Sequence, residues 1–121
     1  MWIKTNLNPC GRSVGDCSVR AVAVALDITW EEAFYLLADA AFKMCDMQSS
    51  NSVIGAVLRM NGFHMSHVSD VCTIAKYVKE HPNGIKVMFT TGHVATAIGR
   101  NVYDAWDSTN ELVQFVWYRK D

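Results

Sequence analysis

Gly15-Asp16-Cys17-Ser18-Val19-Arg20-Ala21-Val22-Ala23-Val24-Ala25-Leu26 is the stretch on which the reading of this chain turns. Its alanines favour helix, and Asp16 is a residue type suited to the N-cap, so a helix is predicted from Cys17. The helix is apolar on almost every side, which predicts a buried central helix rather than a surface one. Arg20 is its only charge after the cap and needs a partner, with Asp16 one turn back the nearest. Only the N-terminal end of such a helix reaches solvent, and Cys17 stands there. A helix N-terminus stabilises a thiolate, and so does a neighbouring imidazolium. Cys17 is therefore the candidate nucleophile.

Working outward, the 121 residues suit one domain, 1–121, with a sizeable core. Half of the residues are apolar, and the net charge is −1 with no run of like charges. That composition argues against a partner such as nucleic acid or an anionic membrane, which call for a basic stripe. No apolar stretch approaches the roughly 20 residues of a membrane span. Met1-Trp2-Ile3-Lys4-Thr5-Asn6 lacks the apolar centre of a signal peptide, so a cytoplasmic location is expected. The four cysteines (10, 17, 45, 72) form no CxxC pair. Free thiols are expected, with no zinc ribbon, metal or cofactor. Cys45, Cys72 and most methionines read as core residues.

Residues 1–15 read as an irregular arm. Thr29-Trp30-Glu31-Glu32 is a capping box that opens a second helix over about 30–46, with Ala33, Leu36, Leu37, Ala40 and Ala41 on one face. Residues 50–61 read as a third helix stopped at Asn61-Gly62, 63–68 as a short strand and 73–80 as a fourth helix. His81-Pro82-Asn83-Gly84 is a turn. Strands follow at 85–90, 93–98, 102–105 and 112–118, with Gly99-Arg100 as a two-residue hairpin turn. Helices followed by an antiparallel sheet make an α+β pattern.

The hairpin supplies partners for Cys17. If Gly99 and Arg100 form the turn, Ile98 opposes Asn101, and counting outward Asp104 opposes Ala95. His93 lies two residues from Ala95, on the same face. Asp104 is then its diagonal neighbour at about 7–8 Å, within side-chain reach. A three-residue turn would instead put Asp107 opposite His93. His93 is thus the candidate general base and acid, and Asp104 the group that orients its ring, with Asp107 the alternative. The backbone N–H of Cys17 offers one oxyanion donor; Asn8, or Asn6, on the preceding arm offers a side chain, and Asn8 is the choice.

Gly15-Asp16-Cys17 at a helix start, Gly92-His93-Val94 opening a strand, and Tyr103-Asp104-Ala105-Trp106-Asp107 after a hairpin resemble the papain-like/transglutaminase-like cysteine superfamily. Asp104-Ala105-Trp106-Asp107 is similar to the Asp-x-Thr-Trp-Asp stretch of transglutaminase-like members, one residue shorter. In papain an Asn precedes a Trp by two, as Asp104 precedes Trp106. The resemblance follows the order of elements through most of the chain, and three short motifs in detail. The His–Asp spacing of eleven is shorter than the family's, and Gly11 stands where papain carries its oxyanion Gln. The resemblance implies a minimal papain-like fold with a buried central helix on a C-terminal sheet. It also implies a cysteine hydrolase, a peptidase or isopeptidase, acting through a thioester on a protein or peptide substrate.

Blander readings stand beside these. A lone cysteine at a helix start is more often structural. The alternatives are a thiol acyltransferase or deamidase on the same site, or a catalytically inactive papain-fold binding protein of a phage or mobile-element type. His64 and His67, near Asp70, have the spacing of a weak metal site. Trp106 is a packing residue placed to shield the His93–Asp104 contact.

Overall fold

Helix α1 (Cys17–Leu26) forms where the alanines predict it, and Ser18, Val19, Arg20, Ala21, Val22, Ala23 and Ala25 are buried. A computed structural model describes all residues from Met1 to Asp121. Asp27, in the left-handed region at φ 53°, ends α1. Helix α2 (Trp30–Met44) opens with the expected capping box: Thr29 accepts from the Glu32 N–H, and Glu32 accepts from the Thr29 N–H. Its buried line is Ala33, Leu37 and Ala41. Leu36, expected on that face, is exposed, because a line of residues four apart leaves it on the flank.

Helix α3 (Asn51–Met60) is capped by Ser50. Its stop uses Gly62 at φ +86°, while Asn61 stays at φ −108°. Strand β2 (His64–His67) follows, then α4 (Ile74–Glu80), capped by Thr73. The remaining strands are β3 (Ile85–Thr90), β4 (His93–Ile98), β5 (Asn101–Asp104) and β6 (Phe115–Arg119). The last strand starts later than expected: Leu112 makes only an isolated bridge, to Thr73.

With β1 (Trp2–Lys4), the sheet has six strands in the order β1-β5-β4-β3-β6-β2. Strand β1 lies in the stretch expected to be irregular and pairs in parallel with β5, Ile3 opposite Tyr103. The sheet is therefore mixed, not purely antiparallel, and the fold is α+β. Helices α1 to α3 cover one face, where Val22, Leu37, Ile54 and Leu58 pack on Val87, Phe89 and Val94. Helix α4 covers the other, where Ile74 and Val78 meet Met88, Ala95, Ala97 and Val102. With both faces covered, β3 is buried along its whole length, as a central strand must be. No helix is long and apolar enough to cross a membrane. Of the methionines expected as filler only Met88 is fully buried, and Cys45 is exposed at the end of α2 while Cys72 is buried.

Candidate active site

Three element ends meet. Cys17 is the first residue of α1, His93 the first of β4, and Asp104 the last of β5. The β4–β5 hairpin has the two-residue turn, with Gly99 at φ +61° and the pairs Ile98–Asn101, Ala97–Val102 and Thr96–Tyr103. That register leaves His93 and Asp104 as diagonal neighbours, and His93 Nε2 lies 2.7 Å from Asp104 Oδ2. With Nε2 so engaged, Nδ1 is the ring nitrogen left for Cys17, which lines the same cleft as His93. Asp107 takes no part: it is exposed and accepts from the N–H and hydroxyl of Thr109.

Asp104 is fully buried, and both of its oxygens are used. Oδ2 accepts from His93 and the Ser108 hydroxyl; Oδ1 accepts from Arg20 at 2.9 Å and the Ala105 N–H at 2.8 Å. Arg20, also buried, donates its other terminal nitrogen to Asp16 Oδ1 at 2.6 Å. Asp16 Oδ2 in turn accepts from the Trp30 indole at 2.9 Å. The expected Arg20–Asp16 pair is present, but its extension to Asp104, Trp30 and Ser108 went unseen in the sequence. A single charge in an apolar helix was the signal for it. Asp16 was expected to cap α1 and does not: its backbone sits at φ −110°, ψ 27°, and its side chain makes no cap bond.

The electrostatics follow from these contacts. The neighbouring His93 imidazole holds the Cys17 thiol below its ordinary value; burial opposes this, and the Val94 N–H and the charge of Arg20 add to the lowering. Burial alone would push His93 down, but Asp104 and Cys17 together hold its imidazolium up to about 9. Burial raises Asp104, and the hydrogen bonds from His93, Ser108 and Ala105 outweigh it, so the carboxyl stays below its ordinary range. All three directions favour thiolate, imidazolium and carboxylate together. The Trp106 ring lies 4.8 Å from the His93 ring, between centroids.

A cleft of about 280 Å³ opens beside the thiol, lined by Cys17, Ser18, Ser49, Asn51, Thr90 and His93 among others. Asn8 is not on its wall. Its side-chain oxygen accepts from the N–H groups of Cys10 and Arg12 and shapes its own turn. Asn6 likewise donates within the arm, to the Arg12 carbonyl. The side-chain amide on the cleft wall is instead that of Asn51, on α3. At α1 the N–H groups of Cys17 and Ser18 have no acceptor within the chain. A larger cavity of about 510 Å³, between the 66–70 segment and α4, contains none of Cys17, His93 and Asp104. No three His, Cys, Asp or Glu side chains gather as a metal-ligand set, around His64 and His67 or elsewhere.

Set against known protein families, curated proteins and solved structures, the chain finds no match. The chemistry available to it rests on its own residues: a half-buried thiol of lowered pKa, an imidazole oriented by a buried carboxylate, and open amide donors at a helix end.

Proposed function

We propose that the protein is a papain-like cysteine hydrolase, a peptidase or isopeptidase. The observation that carries this reading is the 2.7 Å contact of His93 with the buried Asp104, at a cleft that Cys17 and His93 line together. In the proposed reaction the Cys17 thiolate attacks the substrate carbonyl carbon. The resulting oxyanion accepts from the open N–H groups at the start of α1. Collapse breaks the C–N bond, and the leaving amine takes the proton of the His93 imidazolium, leaving a thioester on Cys17. His93, now neutral, removes a proton from water as it attacks the thioester. The carboxylic acid product leaves, and Cys17 returns as thiolate beside a protonated His93. Asp104 keeps the ring in place throughout and stabilises its charged form.

A binding protein with a vestigial site fits these residues less well. Burying Asp104, Arg20 and Asp16 together costs desolvation that a hydrophobic replacement would avoid, so their presence points to chemistry at His93. The test is digestion of a diverse peptide library in heavy-oxygen water, read by mass spectrometry. Cleavage that places heavy oxygen in the new carboxylate, and is lost in Cys17→Ala and His93→Ala, is the expected result. Transfer of the acyl group to an added amine in place of cleavage would make the protein an acyltransferase. No turnover by a wild type whose Cys17 is unreactive would end the enzyme reading.

A further inference from the structure

We propose that Arg20 is a positioning residue serving both halves of the Cys17 site. One guanidinium nitrogen holds Asp104 to His93, and the other holds Asp16 off the amide groups that open α1. This rests on the reading of Cys17 as the reactive thiol.

An aspartate directly before a helix ordinarily turns its carboxylate onto the first free N–H groups. Here the Asp16 carboxylate is fully engaged elsewhere, with Oδ1 on Arg20 and Oδ2 on Trp30. Its backbone, at φ −110° and ψ 27°, lies outside the extended conformation that lets a side chain fold back as a cap. Two consequences follow for the thiol. The N–H groups of Cys17 and Ser18 stay open to a developing oxyanion. The positive end of the helix also keeps its field for the thiolate, with no carboxylate in the first turn to neutralise it.

The second half of the role is at Asp104, where Arg20 occupies Oδ1 and leaves Oδ2 for His93 and Ser108. A planar fork can meet two carboxylates in two directions at once, whereas a lysine ammonium is a single point charge. The charged groups acting on the thiol and its imidazole are then Arg20 from α1, His93 from β4 and Asp104 from β5, while Asp16, just before α1, is held by Arg20. Arg20 touches both carboxylates.

The experiment is the rate of Cys17 alkylation by iodoacetamide as a function of pH, on the full chain, with near-ultraviolet circular dichroism to confirm folding. Arg20→Gln is expected to raise the pH midpoint by about one pH unit or more, the scale of a charge rearranged within a few ångströms of a titrating group. Arg20→Lys, which keeps the charge but not the fork, is expected to shift it in the same direction. Adding Asp16→Asn to Arg20→Gln is expected to recover part of the shift, since a neutral cap does not oppose a thiolate. A folded Arg20→Lys or Arg20→Gln protein with the wild-type midpoint overturns the role of Arg20. If Arg20→Gln does not fold, Arg20→Lys decides. A wild-type Cys17 no more reactive than Cys10 overturns the thiol reading and this inference with it. A reactive wild type with unmoved variants overturns only this inference.

Discussion

Asp104→Asn replaces the buried carboxylate with a group of the same shape and no charge. The carboxylate accepts from His93, Arg20, Ser108 and the Ala105 N–H. An asparagine must turn its NH2 group toward one of those pairs of donors, and Arg20 keeps only Asp16 as a counter-charge. Removing one partner from a buried ion pair costs about 3–5 kcal/mol; the retained shape and one good acceptor put the loss near the lower end, about 3 kcal/mol. Part of that loss depends on pH. His93 is held up to about 9 from an ordinary 6.5. Because the folded value is the higher one, its contribution is complete below pH of about 6.5 and disappears as pH rises through about 9. The full displacement corresponds to about 3 kcal/mol. Asp104 supplies a share of it, and solvent at the partly buried ring screens that share to about 1–2 kcal/mol. Urea unfolding followed by tryptophan fluorescence, at pH 6 and again near pH 10, measures the gap between wild type and Asp104→Asn. The gap is expected to be about 3 kcal/mol at pH 6 and smaller by about 1–2 kcal/mol near pH 10. A gap that does not change between the two pH values, or no gap at all, refutes the pairing.

Further expectations concern the neighbours of the site and the frame. Asp107→Ala removes only an exposed contact with Thr109 and should leave the rate and pH dependence of Cys17 alkylation unchanged; a loss like that of Asp104→Ala would reassign the orienting role. Turnover should show a bell-shaped pH profile. Its acid limb follows the lowered Cys17 thiol, and its alkaline limb lies near 9, where His93 loses its proton; a rate still climbing through pH 10 would contradict the ion-pair resting state. Gly84→Ala places a methyl carbon 2.7 Å from Tyr118 Cε1 and 2.8 Å from the Arg119 carbonyl oxygen, at φ +77°. Urea titration should show a loss of about 2 kcal/mol or more, and a neutral result would mean that this turn yields easily.

The pieces legible in the sequence were those set by local rules. Helical periodicity and alanine content located α1, and the two-residue turn at Gly99-Arg100 set a register that separates Asp104 from Asp107. The need of Arg20 for a partner was also visible, because a lone charge in an apolar helix cannot stay unpaired. What stayed hidden depends on long-range competition. Strand β1 has three residues, too few for periodicity, and its partner β5 lies about a hundred residues away. Asp16 looks like a helix cap until Arg20 and Trp30 compete for its carboxylate. Asn8 looked free to serve an oxyanion, but the nearby N–H groups of Cys10 and Arg12 engage its oxygen first.

The central claim is that Cys17 is an activated thiol and not one free cysteine among four. Cys10 and Cys45 are exposed while Cys17 is partly buried, so accessibility alone would label those two first. Limited iodoacetamide at pH 6, with the modified residue located by mass spectrometry, reverses that order if the account is right: Cys17 reacts first, and its advantage vanishes in His93→Ala. Labelling that follows exposure, with Cys10 and Cys45 ahead of Cys17 in the wild type, would contradict it.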